Sequence, residues 1–216
     1  QLFQILLYAG REGIPRAELI ERLYGREELE DAGATLRVNI YRLRKYIQKL
    51  NCFENTDCIW FQEGLYRWNY CAVPLERDTD RFRLTAEEAL QETDPDKKAE
   101  LLKEACRMYR GEFLPELAGE EWVAIESCKY QKLYVDCINE ASALLRERQE
   151  YEELLELSAQ ACGIYFFEEY YLMQIDCLMA LGRYKEAMEI YETAAAFYFE
   201  ELGLEPSEEM PVSYTH

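Results

Sequence analysis

The chain has 216 residues, of which 49% are hydrophobic, and a formal net charge of -19. This content excludes a disordered chain, and the length allows one large or two modest domains. No apolar run reaches membrane-spanning length and no signal-peptide pattern opens the sequence, so a membrane partner is not expected.

The charge is unevenly spread. Residues 1–72 hold ten basic and ten acidic side chains, whereas the remainder holds fourteen basic and thirty-three acidic ones. The acidic excess therefore belongs to the second part, where it repels nucleic acid at long range and solubilises the surface.

In chain order, LFQILLYA at residues 2–9 predicts a mostly buried helix, and the sequence begins inside a domain rather than ahead of one. Gly10 and Gly13 bracket a turn. Pro15 suits a first helical position, and AELIERLYG follows as a short amphipathic helix closed by Gly25. The acidic connector REELED leads to a helix over 31–50. Its apolar residues Leu36, Ile40, Leu43, Ile47 and Leu50 share one face. Arg37, Tyr41, Arg44, Lys45 and Gln48 fall largely on the other, flanked by Arg42 and Lys49. CIWFQ and LYRWNY, split by Glu63-Gly64, predict a β-hairpin. Trp60, Phe61, Tyr66 and Trp68 are expected to pack it on the preceding helix. Three helices followed by a hairpin is the order of a winged helix-turn-helix.

Pro74 marks a domain junction. Beyond it the periodicity is helical, over 79–92, 96–110, 119–148, 151–163, 166–181 and 184–202. This part repeats internally. Gly182, Tyr184, Ala187, Tyr191 and Ala194 have the small/large spacing of a tetratricopeptide unit. A 33-residue shift places Tyr151, Leu154, Ser158 and Ala161 in corresponding positions, and Ala99, Lys103 and Cys106 form a weaker earlier copy. The aromatic groups at 165–171 and 197–199, and Trp122, are expected in the core.

Eight cysteines are present, none in a Cys-x-x-Cys pair and none near a histidine, so no metal site is expected. Their helical setting points to reduced thiols in a cytoplasm. His216 is the only histidine, the phosphate-binding GxxxxGK[ST] pattern is missing, and no serine has a histidine base. Neither an enzyme nor a cofactor is expected.

LIERLYG, ATLRVNIYRLRKYI, GLYRWN, DTDRF, MYRGEFLPEL, EEWV, ALGRYKEAMEIY and ELGLEPS, taken in order, resemble the bacterial transcriptional activator domain family, the architecture of the Streptomyces antibiotic regulatory proteins. The resemblance runs from about residue 2 to 209. It implies an OmpR-like winged helix joined to a tetratricopeptide-like domain, with DNA binding and transcriptional control. The small sheet that opens the family's winged helix has no counterpart here and would have to precede Gln1.

The expected fold is thus mainly α, a winged helix-turn-helix with a β-hairpin wing over 1–72, then a tetratricopeptide-like helical bundle over 75–209. The expected DNA-binding residues are Arg37, Tyr41, Arg42, Arg44, Lys45, Gln48, Lys49 and, on the wing, Arg67. Arginine suits guanine edges, and lysine and tyrosine suit phosphates. Asn39 is a weaker candidate for adenine. The expected partners are double-stranded DNA, RNA polymerase or another regulatory protein, and a second copy of the chain. The rival expectation is a protein-interaction scaffold that binds no DNA.

Overall fold

The structure is a computed structural model and describes residues 1–25, 29–50, 57–71 and 74–202. Cys52, residues 26–28 of the connector, the ELGLEPS motif beyond Leu202 and His216 lie outside the described residues. The chain is mainly α-helical and divides into two compact units, residues 1–76 and 77–216.

The first unit comprises α1 (Leu2–Tyr8), β1 (Ile14–Pro15), α2 (Arg16–Tyr24), α3 (Ala32–Lys49), β2 (Ile59–Gln62) and β3 (Leu65–Trp68). The three strands form one antiparallel sheet in the order β1-β3-β2. Ile14 pairs with Tyr66, and Trp60 with Arg67. The hairpin turn is tight because Glu63 (φ 53°) and Gly64 (φ 79°) both adopt left-handed conformations, which match the twist of the flanking strands. The core gathers Ile5, Leu6, Leu19, Leu36, Ile40, Ile47, Ile59, Tyr66 and Trp68.

Three expectations are corrected in this unit. Pro15 is not the first helical residue. It closes the short strand β1 and caps α2, and the β1 strand was not foreseen. Trp60 and Phe61 are 39% and 49% exposed, on the edge strand β2. Phe61 rests instead on the Tyr66 ring, 4.5 Å away. Leu50 is half exposed, because α3 ends at Lys49 and Leu50 is only its cap. Gly13 is needed where it stands. Its φ is +80°, and a Cβ there would lie 2.3 Å from the Arg67 side chain and 2.8 Å from the Tyr66 carbonyl oxygen.

The second unit holds α4 (Asp78–Gln91), α5 (Pro95–Met108), α6 (Glu121–Glu147), α7 (Tyr151–Ile164), α8 (Glu168–Ala180) and α9 (Tyr184–Leu202), with a 3-10 turn at Pro115–Leu117. Each helix packs on its neighbours in sequence, and α4 also packs on α6. The small residues Ala99, Ala105, Cys106, Cys137, Ala141, Ala161 and Ala194 are buried and let the helices approach closely, while Tyr109, Tyr134 and Tyr170 fill the volume between them. Polar ties cross the core. Gln160 Nε2 donates to the Cys106 carbonyl at 2.7 Å, and the Tyr109 and Tyr165 hydroxyls bond at 2.6 Å. Tyr170, Tyr171 and Tyr198 are buried as expected. Phe166, Phe167 and Phe199 are not, because they sit at a helix start or on the outer side of α9.

The 33-residue repeat has a backbone counterpart. The α6–α7 turn bonds Gln149 N–H to Arg146 O and Glu150 N–H to Leu145 O. The α8–α9 turn bonds Gly182 N–H to Met179 O and Arg183 N–H to Leu178 O. Both are Schellman closures with the central residue left-handed. One copy places glycine there (φ 72°), the other glutamine (φ 59°). Gln149→Gly is therefore expected to raise stability by roughly 0.5–1 kcal/mol, because glycine escapes the left-handed penalty at some cost in unfolded-chain entropy. Urea unfolding checks this, and a loss of stability would contradict it.

The α4–α5 turn is closed by Glu92. Its carboxylate pairs with Lys97 Nζ at 2.7 Å and accepts the Thr93 and Asp94 backbone N–H groups. The lysine first, then the two amides, hold its pKa down at about 2, against an ordinary 4.5. A lowered folded value means that its contribution is present above pH 4.5 and is lost as pH falls through 2. Glu92→Gln should lower the urea midpoint at pH 7, and its gap to the parent chain should close on acidification. A gap that persists at pH 2 would contradict this.

Candidate nucleic-acid interface

Helix α3 starts firmly. Asp31 accepts the Ala34 N–H at 2.8 Å, and Thr35 Oγ1 donates back to the Asp31 carbonyl at 3.1 Å. From Ala32 to Leu50 there is no acidic residue. Leu36, Ile40 and Ile47 are buried, and Leu43 is half-buried. Gly33, buried in the first turn of α3, lies against the guanidinium end of the Arg16 side chain of α2.

Arg37, Tyr41, Arg42, Lys45, Gln48 and Lys49 are all exposed. Tyr41 is 61% exposed, and Lys45 Nζ stands 5.9 Å from the centre of its ring. Among the described residues, Arg37, Arg42, Lys45 and Lys49 make no ion pair. In the second unit, by contrast, Arg77, Arg83, Lys97, Lys98, Lys103 and Arg148 are all paired with carboxylates. A cluster of unpaired cations repels itself, so an arrangement of this kind favours an anionic surface.

The other two basic candidates are occupied within the fold. Arg44 donates to the Ile59 carbonyl of β2 and lies 3.0 Å from the Asp57 carboxylate, so it ties α3 to the hairpin. Arg67 Nε donates to the Glu12 carbonyl at 3.0 Å and ties the hairpin to the α1–β1 turn. Asn39 donates to the Tyr24 hydroxyl at 2.7 Å, bracing α3 on α2. A sequence cannot reveal such tethers, because each depends on a carbonyl or hydroxyl brought up by another element.

The described cysteines are free, and Cys58, Cys106, Cys137, Cys162 and Cys177 are buried. Burial pushes the thiol of Cys137 up to about 12 and those of Cys162 and Cys177 to about 11, which leaves them protonated at neutral pH. Among the described residues no cluster of histidine, cysteine and acidic side chains could hold a metal ion, and no helix is long and apolar enough to cross a membrane. The helical unit has a cleft of about 520 Å³ lined by Phe82, Tyr109, Phe113 and Tyr130 with Arg81 and Arg110 at its sides.

A mainly helical chain with a small antiparallel sheet ahead of a repeat-built bundle is the class defined by these features. Residues 77–214 match the bacterial transcriptional activator domain family, and the chain belongs to that family of transcriptional regulators. In fold it is similar to EmbR of Mycobacterium tuberculosis, solved in complex with a low-affinity phosphopeptide. The two share 15% identity at a TM-score of 0.59, over 97% of this chain and 55% of that one. The chain thus spans about half the length of EmbR. No curated protein matches it.

Proposed function

We propose that this chain is a cytoplasmic DNA-binding transcriptional regulator, acting as an activator. Residues 1–72 serve as a winged helix-turn-helix, with α3 in the major groove and the β2–β3 hairpin as the wing beside it. Residues 75–209 receive a signal, oligomerise or contact transcription machinery such as RNA polymerase. Two protomers would read paired half-sites. The observation that carries this reading is the acid-free face of α3, on which Arg37, Arg42, Lys45 and Lys49 stand exposed and without an ion pair among the described residues, in a chain of net charge -19. Lys45 and Lys49 suit phosphates, Arg37 and Arg42 suit phosphates or guanine, and Tyr41 and Gln48 add hydrogen bonds. Arg44 and Arg67 act from their tethered positions, holding the wing against α3 and against the α1–β1 turn respectively, while offering their remaining N–H groups to phosphate. EmbR was solved with a phosphopeptide, which supports a protein-borne signal among the inputs. The cleft at Phe82 and Phe113 is one place for such an input to act.

A mobility-shift assay of the full chain on a randomised duplex pool at low salt tests the proposal. Site-selective, saturable retention is expected. Its absence at high protein concentration would favour the second reading, an interaction scaffold. That reading draws on the exposed apolar stripe of α9, where Tyr184, Met188 and Phe199 are 59%, 40% and 69% exposed.

A further inference from the structure

We propose that Val38 is a specificity-determining residue of this chain, reading the C5 methyl group of a thymine on the floor of the major groove. The proposal rests on the DNA-binding reading above and adds to it a residue that recognises sequence.

The argument begins with position. At about 100° per residue, Leu36, Ile40 and Ile47 fall within about 40° of arc, and the direction opposite their centre falls on Val38. The side chain is 47% exposed there, although it is branched and apolar. Ala34 stands beside it, one turn earlier on the same side. Lys45 and Lys49 hold the same side in the second half of α3, but in its first half the pole carries Val38 and Ala34 instead of charge, and valine is a poorer helix former than the lysine, arginine or glutamine found around it.

Arg37 and Arg42 flank Val38 and diverge by about 140° around the helix axis. A helix lying in the groove would turn one arginine toward each phosphate wall, leaving Val38 facing the base pairs between them. Residues in the first half of a recognition helix approach the bases most closely, and Val38 is in the first half of Ala32–Lys49. Of the groups exposed on the major-groove floor, the thymine methyl is the apolar one. A protein partner would cover Val38 equally well, but the exposed cations around it, which make no ion pair among the described residues, favour the polyanion.

The test uses duplexes selected by the full chain from a randomised pool, with each thymine replaced in turn by deoxyuridine, which lacks only the methyl group. At one thymine per half-site the parent chain should lose about fourfold in affinity, the worth of one buried methyl. Val38→Ala should bind the thymine duplex about fourfold more weakly for each half-site occupied and no longer distinguish the two bases. Thermal melting confirms that the exposed substitution leaves the fold intact. Equal discrimination by the parent chain and Val38→Ala, or none by the parent at any thymine, would overturn the role of Val38 while leaving DNA binding in place. Failure to select any duplex would overturn both.

Discussion

A chain carrying Arg42→Ala, Lys45→Ala and Lys49→Ala is expected to bind a duplex with a single half-site, and so one protomer, about 500-fold more weakly at 0.1 M salt than the parent chain. Each cation that neutralises a phosphate releases about 0.9 of a counterion, which is worth roughly eightfold in affinity at that salt concentration. The slope of log affinity against log salt should therefore fall by about 2.7. All three side chains are exposed on α3 and make no ion pair among the described residues, so their removal leaves no acid stranded. Arg44 is left out deliberately, since its loss would free the Ile59 carbonyl and Asp57 and confuse docking with hairpin geometry. A matched control removes Lys129, Lys132 and Lys185 from the helical unit. Equal weakening by the control would mean that net charge, not the α3 face, governs affinity.

The second large effect concerns stability, and its sign depends on the substitution. Tyr134 is fully buried at the centre of the helical core, stacked on Tyr109 with ring centres 4.3 Å apart and planes 16° apart. Tyr134→Ala should cost about 3–5 kcal/mol, through lost contact and the cavity left behind. Yet the Tyr134 hydroxyl has no hydrogen-bond partner among the described residues. Tyr134→Phe keeps the ring and removes a buried, unsatisfied polar group, so it should be neutral or stabilise by about 1 kcal/mol. Urea unfolding of both variants checks this pair. A phenylalanine variant that loses more than about 1 kcal/mol would show that the hydroxyl is hydrogen-bonded after all.

Helix α3 was readable from sequence because two signals coincide in it, an apolar period that closes on Leu36, Ile40 and Ile47 and a run of bases with no acid. The hairpin was readable because Glu63-Gly64 sits between two aromatic runs. The repeat was readable at Gly182, whose left-handed turn calls for glycine, but its twin at Gln149 carried no such mark. Strand β1 was hidden because it is two residues long and ends in a proline that also suits a helix start. Charge proved the least legible property. Arg37 and Arg44 look alike in the sequence, yet one stands in solvent and the other is bound to a β2 carbonyl that only folding brings near. Val38 carries no mark in the sequence, because an isolated valine on a helix is ordinary. Only its position opposite the core, between two diverging arginines, gives it meaning.

The central claim, that the cationic face of α3 is where DNA docks, is tested most directly by lysine acetylation of the full chain with and without a selected duplex, read by mass spectrometry. Lys45 and Lys49 should lose reactivity in the complex, while the exposed Lys129 and Lys185 of the helical unit keep theirs. Unchanged reactivity at Lys45 and Lys49 in a saturated complex would place the duplex elsewhere and contradict the account.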